Sequence, residues 1–249
     1  MVKLRMSPIE MHDMFVFNGK RRETLLNEAL QQGSAEDQLK FVVDYFLNKL
    51  PPSVIAKIDG ESEDSIMPFK YDYSFLEDYK SFDSRRREDR RWGSQYGVSL
   101  PQVDNDIRGT EKIKIYPALY ALKMGTCNMF ASEIQRFAYD FGIESQIVEK
   151  MEYCYDKFDG FSTENREIHT DRLIKMLHFY NIVSIGGKKY KIDIAGFLTA
   201  QDFNRNHPGI RVDENKFYFS EKHKDNPFSK FTKFASRAVI NFPEESQPQ

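Results

Sequence analysis

The run His178-Phe179-Tyr180-Asn181-Ile182-Val183-Ser184-Ile185-Gly186-Gly187-Lys188-Lys189-Tyr190-Lys191-Ile192-Asp193 decides the fold. Aromatic and β-branched residues fill both arms, and a Gly-Gly pair separates them. This is the pattern of a β-hairpin closed by a two-residue type I′ or II′ turn, with strands expected over 176–185 and 188–194. Such a turn pairs Ile185 with Lys188, so Tyr180 faces Asp193, and His178 faces Ala195 if the ladder runs that far. Opposed residues share a face, which puts His178, Tyr180 and Asp193 on one side of the sheet. His178 and Asp193 become diagonal neighbours, about 7–8 Å apart at the backbone and within reach of each other's side chains. A carboxylate in that place can accept the imidazole N–H, set its tautomer and stabilise the imidazolium. Taken singly, the two read as a hydrogen-bonded histidine at a strand end and a solvated acid.

Upstream, Gly125-Thr126-Cys127-Asn128 opens a helical pattern with Phe130, Ile134, Phe137, Ala138 and Phe141 on one face, stopped by Gly142. Ile143 to Val148 then reads as a strand. Thr126 is an acceptable N-cap, which places Cys127 in the first turn, where unsatisfied N–H groups and the helix dipole favour a thiolate. Helix N-termini are among the environments that activate a cysteine. A free cysteine alone reads as a small buried filler. The hairpin with its histidine and carboxylate turns that reading toward a nucleophile.

Three blocks in this order resemble the transglutaminase-like (papain-like) superfamily of thiol enzymes. Gly125-Thr126-Cys127 supplies the G-x-C block, with Phe141-Gly142-Ile143 closing its helix. His178-Phe179-Tyr180 supplies the strand histidine, and Lys189-Tyr190-Lys191-Ile192-Asp193 brings an aspartate fifteen residues after it. The resemblance covers about residues 118–196, with the helix at 36–50 in the place of the family's leading helix. Two departures are Tyr180 where a Trp is common and the spacing of 51 positions from Cys127 to His178. The resemblance implies an α+β fold, a papain/transglutaminase-like core whose catalytic helix packs on an antiparallel β-sheet. It also implies a catalytic triad of Cys127, His178 and Asp193 that attacks peptide or Gln/Asn side-chain amides. Hydrolysis is favoured over amine cross-linking, and the alternative is a non-catalytic protein-interaction module on the same fold. One oxyanion donor is the Cys127 backbone N–H. By analogy with the family, a second comes from Gln95, Gln102 or Tyr116.

The rest of the chain sets bounds. With 36 Lys+Arg against 38 Asp+Glu, the net charge of −2 excludes nucleic-acid binding by bulk electrostatics. The 21 Phe and 13 Tyr exclude a disordered chain. Leu39, Val42, Val43, Phe46, Leu47 and Leu50 predict a helix over 36–50, capped by Ser34 and Asp37 and ended by Pro51-Pro52. A shorter helix is expected over 22–31. Residues 59–110 read as an irregular insertion, and the Arg85–Arg91 run within them as a solvated face rather than a nucleic-acid site. The polar segment from Tyr153 to Glu167 reads as a loop, and Lys216 to Phe219 as a last strand. The expected organisation is thus a single domain over 1–249, with a helical part at about 1–52, a catalytic core at about 116–220 and a disordered tail at about 243–249. No membrane span, signal peptide, phosphate loop or cofactor motif is expected. His169, His207 and His223 lack ligand spacing for zinc. Two cysteines fit a reducing cytoplasm, and Cys154 reads as a bystander. The expected partner is a protein or peptide substrate, with no nucleic acid and no membrane.

Overall fold

The computed structural model describes residues 8–71, 102–103, 113–114, 118–121, 123–159, 169–221 and 226–231. The helices are α1 (Pro8–Leu30), α2 (Ala35–Phe46), α3 (Pro52–Asp59), α4 (Ala118–Ala121), α5 (Cys127–Asp140) and α6 (Ile194–Asn206). The strands are β1 (Lys70–Tyr71), β2 (Gln102–Val103), β3 (Ile113–Lys114), β4 (Met124–Gly125), β5 (Glu144–Asp159), β6 (His169–Ile185) and β7 (Lys188–Ile192). Strands β5, β6 and β7 form an antiparallel sheet with β6 in the centre, and α5 lies on it, so the architecture is α+β. No helix among the described residues is long and apolar enough to cross a membrane.

The hairpin has the expected register. Ile185 pairs with Lys188 and Asn181 with Ile192, and Gly186 and Gly187 both take positive φ, 57° and 77°, as a type I′ turn requires. The ladder stops at Ile192, however. The expected strand over 188–194 ends there because Asp193 caps a helix that the sequence reading lacks. Its side chain accepts the N–H of Gly196 at 2.8 Å, as an N-cap aspartate does.

Other boundaries differ for local reasons. Helix α1 covers Pro8–Leu30 rather than starting near Arg22, and it runs through Gly19, a poor helix former. Helix α2 has its Ser34–Asp37 capping box but ends at Phe46, before the prolines. Asn48 takes φ 56° there. Its side chain brackets the Phe69 backbone, accepting from the N–H at 2.8 Å and donating to the carbonyl at 3.3 Å. Pro52 starts α3 instead of ending α2. The expected loop from Tyr153 is strand as far as Asp159, paired with His169, and residues 160–168 lie outside the described residues. Residues 216–219 are no strand. A 3₁₀ turn at Glu214–Phe217 leads instead to an isolated bridge between Ser220 and Lys191. Most of the 59–110 insertion and the 243–249 tail lie outside the described residues.

Two features position α5. Phe46 sits edge-on to Phe130 (5.9 Å) and Phe69 (5.1 Å) and packs on Tyr120 (5.8 Å), joining α2 to the first turns of α5. Beside this aromatic cluster, the buried Asp59 accepts the Tyr45 hydroxyl at 2.6 Å and pairs with Lys123 at 2.7 Å and Arg21 at 3.8 Å. Lys123 begins the segment that enters α5, and its carbonyl accepts the Lys70 N–H at 2.8 Å. Burial pulls the Lys123 ammonium down to about 8 despite Asp59.

Asp59→Ala leaves the buried Lys123 ammonium without its anion, while Arg21 keeps Glu61, so a loss of about 3–5 kcal/mol is expected. Urea denaturation measures it, and an unchanged midpoint would remove Asp59 as the anchor of this region.

Candidate functional site

Cys127 is the first residue of α5. Thr126, its N-cap, is extended (φ −91°, ψ 169°), and the helix begins with the Phe130 N–H donating to the Thr126 carbonyl at 3.1 Å. A residue in this first turn has no intrahelical acceptor for its N–H, and that group points out of the helix end. The thiol itself is buried.

His178 lies on the central strand with 2 % exposure, its ring tilted against Tyr180 at 6.1 Å. Nε2 is 2.9 and 2.8 Å from the two Asp193 carboxylate oxygens. Nδ1 is buried with no hydrogen-bond partner, and the thiols of both Cys127 and Cys154 interact with the ring. Burial works against a proton on this imidazole. The charge of Asp193 and the hydrogen bond to it, helped by the two thiols, more than offset that and hold His178 well above its ordinary value of 6.5. Asp193 is 1 % exposed. Burial opposes its ionisation, yet His178, Lys191 and the Gly196 N–H together hold it well below the usual carboxylate range.

The three residues singled out from the sequence are thus brought together, by a different route from the one expected. Asp193 is no strand-face residue; it stands where β7 passes into α6, and its own N–H donates to the Phe217 carbonyl at 2.9 Å. Gly196 makes this close approach possible. A Cβ there would meet Phe217 Cδ1 at 2.4 Å and Asp193 Oδ2 at 2.7 Å.

Three site residues escaped the sequence reading. Cys154, taken for a bystander, is buried beside His178, and burial pushes its thiol up against the pull of the imidazole. The pairings Lys150↔His178 and Cys154↔Ile174 put Cys154 and His178 on one face of the sheet. Period-2 alternation continued past Val148 would have shown this. Lys191 and Glu152 are also buried, with Lys191 Nζ 3.2 Å from Asp193 and 3.6 Å from Glu152. Glu152, His178 and Asp193 have ligand atoms within 4.8 Å of one another, a spacing open to a metal ion. The Lys191 ammonium already supplies the cation there.

Of the oxyanion candidates, Gln95 and Tyr116 lie outside the described residues, and Gln102 is described as backbone in β2. The Arg85–Arg91 run and His223 also lie outside them, and His169 is described as the first residue of β6. His207 ends α6, stacked on Phe203 at 4.4 Å.

A crystal structure of a TGase is similar to this chain. The likeness covers 90 % of this chain and 40 % of that one, at 16 % identity and a TM-score of 0.34. This chain spans about two fifths of the length of the other, and a likeness at that level carries no argument. No protein-family model and no curated protein matches the chain.

The His178–Asp193 pair makes stability depend on pH. The raised imidazole contributes fully below about pH 6.5 and loses its contribution as pH rises through its folded value. The lowered carboxylate contributes fully above about pH 3.8 and loses its contribution as pH falls. The stability difference between wild type and Asp193→Asn is therefore expected to be largest near pH 5 and to shrink by pH 9. Urea titrations at the two pH values measure it, and a difference that grows toward pH 9 contradicts the pairing.

Proposed function

We propose that the chain is a thiol acyl-transfer enzyme of transglutaminase-like type, acting on peptide bonds or on Gln/Asn side-chain amides. The observation that carries this reading is one buried imidazole tied to a carboxylate through Nε2, with two thiols interacting with the same ring, Cys127 at a helix N-terminus and Cys154. Cys127 passes its proton to His178, and the thiolate attacks the amide carbonyl. The tetrahedral oxyanion receives the Cys127 backbone N–H. His178 then protonates the leaving amine, giving a thioester and a neutral imidazole, and Asp193 holds the ring throughout. Water, activated by the same imidazole, cleaves the thioester and returns the thiol. Hydrolysis is the favoured outcome because water needs no binding site of its own, whereas an acceptor amine does.

The burial of Cys127 and His178, at 4 % and 2 % exposure, favours a second reading, an interaction module that keeps these residues as core. Thiol reactivity separates the two. In the enzyme, iodoacetamide modifies Cys127 faster than Cys154 at about pH 6–7, and His178→Ala slows that reaction. Equal, slow labelling of both thiols supports the module.

The substrate test is a mass-spectrometric comparison of cell lysate treated with wild type and with Cys127→Ala, seeking deamidation, new termini or cross-links. With a substrate in hand, Cys127→Ala abolishes covalent turnover and His178→Ala costs nearly as much. Asp193→Asn costs less and keeps the fold. The Cys127–His178 double replacement adds little to the cysteine change alone, because members of one catalytic unit are not additive. Full turnover in His178→Ala would displace the scheme.

A further inference from the structure

Lys191 has no part in the scheme above, yet its ammonium touches the group that orients the imidazole. Its position is unusually determined. Its backbone N–H donates to the Ser220 carbonyl at 2.9 Å, and its carbonyl accepts the Ser220 N–H at 3.1 Å. The side chain runs inward, 2 % exposed, with Nζ 4.0 Å from the centre of the Tyr180 ring and 5.4 Å from that of Phe217. There it contacts two buried carboxylates, Asp193 at 3.2 Å and Glu152 at 3.6 Å. Glu152 is held in turn by the Asn226 amide at 2.7 Å and by Lys150 at 3.3 Å.

We propose that Lys191 is a positioning residue for the acyl-transfer site: its ammonium bridges Asp193 and Glu152 and shares the charge of Asp193, so that His178 can give up its proton to a leaving group. The inference rests on the functional reading above. Two carboxylates and an imidazole whose ligand atoms lie within 4.8 Å of one another make an unbalanced group without a further cation. An imidazolium facing two bare anions is held too firmly to act as an acid, because nearby opposite charge favours the charged form. With Lys191 present, two cations face two anions, and Asp193 divides its attraction between them. The other groups around the cluster are Lys150 and Cys154 from β5, Tyr180 from β6 and Cys127 from α5. Among them only Lys150 carries another cation; it is half exposed and pairs with the other carboxylate oxygen of Glu152.

The test reads His178 directly. Protein labelled with ¹⁵N-histidine is titrated by NMR, and the His178 signals are assigned by their loss in His178→Gln. Lys191→Met keeps an unbranched side chain one heavy atom shorter and removes its charge. In that variant His178 is expected to keep its second proton to a pH about one unit higher. Lys191→Arg is expected to titrate like wild type. Lys191→Met with Glu152→Gln, which removes one charge of each sign, is expected to return the midpoint toward the wild-type value. An unchanged midpoint in folded Lys191→Met overturns the proposal, and so does a double variant no nearer to wild type than the single. If Lys191→Met does not fold, Glu152→Gln alone decides. It removes an anion and must lower the midpoint, and no change there overturns the proposal. Failure of the functional reading registers elsewhere, as Cys127 alkylation indifferent to His178, whichever way Lys191 behaves.

Discussion

The carboxylate of Asp193 is the point on which this site depends. It closes the first turn of α6 through the Gly196 N–H, holds the His178 ring through Nε2 and receives the Lys191 ammonium. An aspartate in an apolar core is expensive unless its charge is matched and its lone pairs are filled. Here a helix N-terminus, an imidazole and an ammonium do so together. Each partner is thereby fixed in direction as well as in charge. The junction between β7 and α6 can turn inward only because Gly196 lacks a side chain, so the backbone at one residue sets the electrostatics of another.

A second buried carboxylate, Asp59, does the corresponding work on the other side of α5. It gathers Arg21, Tyr45 and Lys123 from separate parts of the chain, and Lys123 leads into the Cys127 turn. The thiol is placed from one side by this cluster and by the aromatic contacts of Phe46 and Phe130. The imidazole is placed from the other by the sheet. The site thus sits between two regions of the fold, each of which has its own buried ion cluster. Charges in such clusters hold direction well but add little net stability. The large apolar contacts around Phe46, Phe137 and Phe203 supply the burial that favours folding.

Much of this was legible in the chain. The hairpin register followed from Gly186-Gly187 and the alternation on each side. The start of α5 at Cys127 followed from Thr126 and the apolar stripe behind it, because capping and helical periodicity are local properties. The capping box at Ser34 was legible for the same reason. The ends of elements were less so. At Pro51-Pro52 the rule that proline stops helices pointed the wrong way, since the chain had already turned at Asn48, and Pro52 begins the next helix.

The sequence by itself determined the register of the β6–β7 hairpin and which residue opens α5, since both follow from local turn and capping chemistry and from backbone periods of 2 and 3.6. Only the tertiary structure decided that Asp193 caps a helix, that Cys154 stands beside the same imidazole, and that Lys191 and Glu152 are buried beside the site. The physical reason is common to all of them. A charged residue on an inward face looks in sequence like a loop or a solvated surface, because its burial depends on a partner of opposite charge brought from elsewhere in the chain. Lys150 and Glu152 made this face of β5 look polar and so hid Cys154 two residues on, and the partner that makes the burial of Glu152 tolerable is 39 positions away at Lys191.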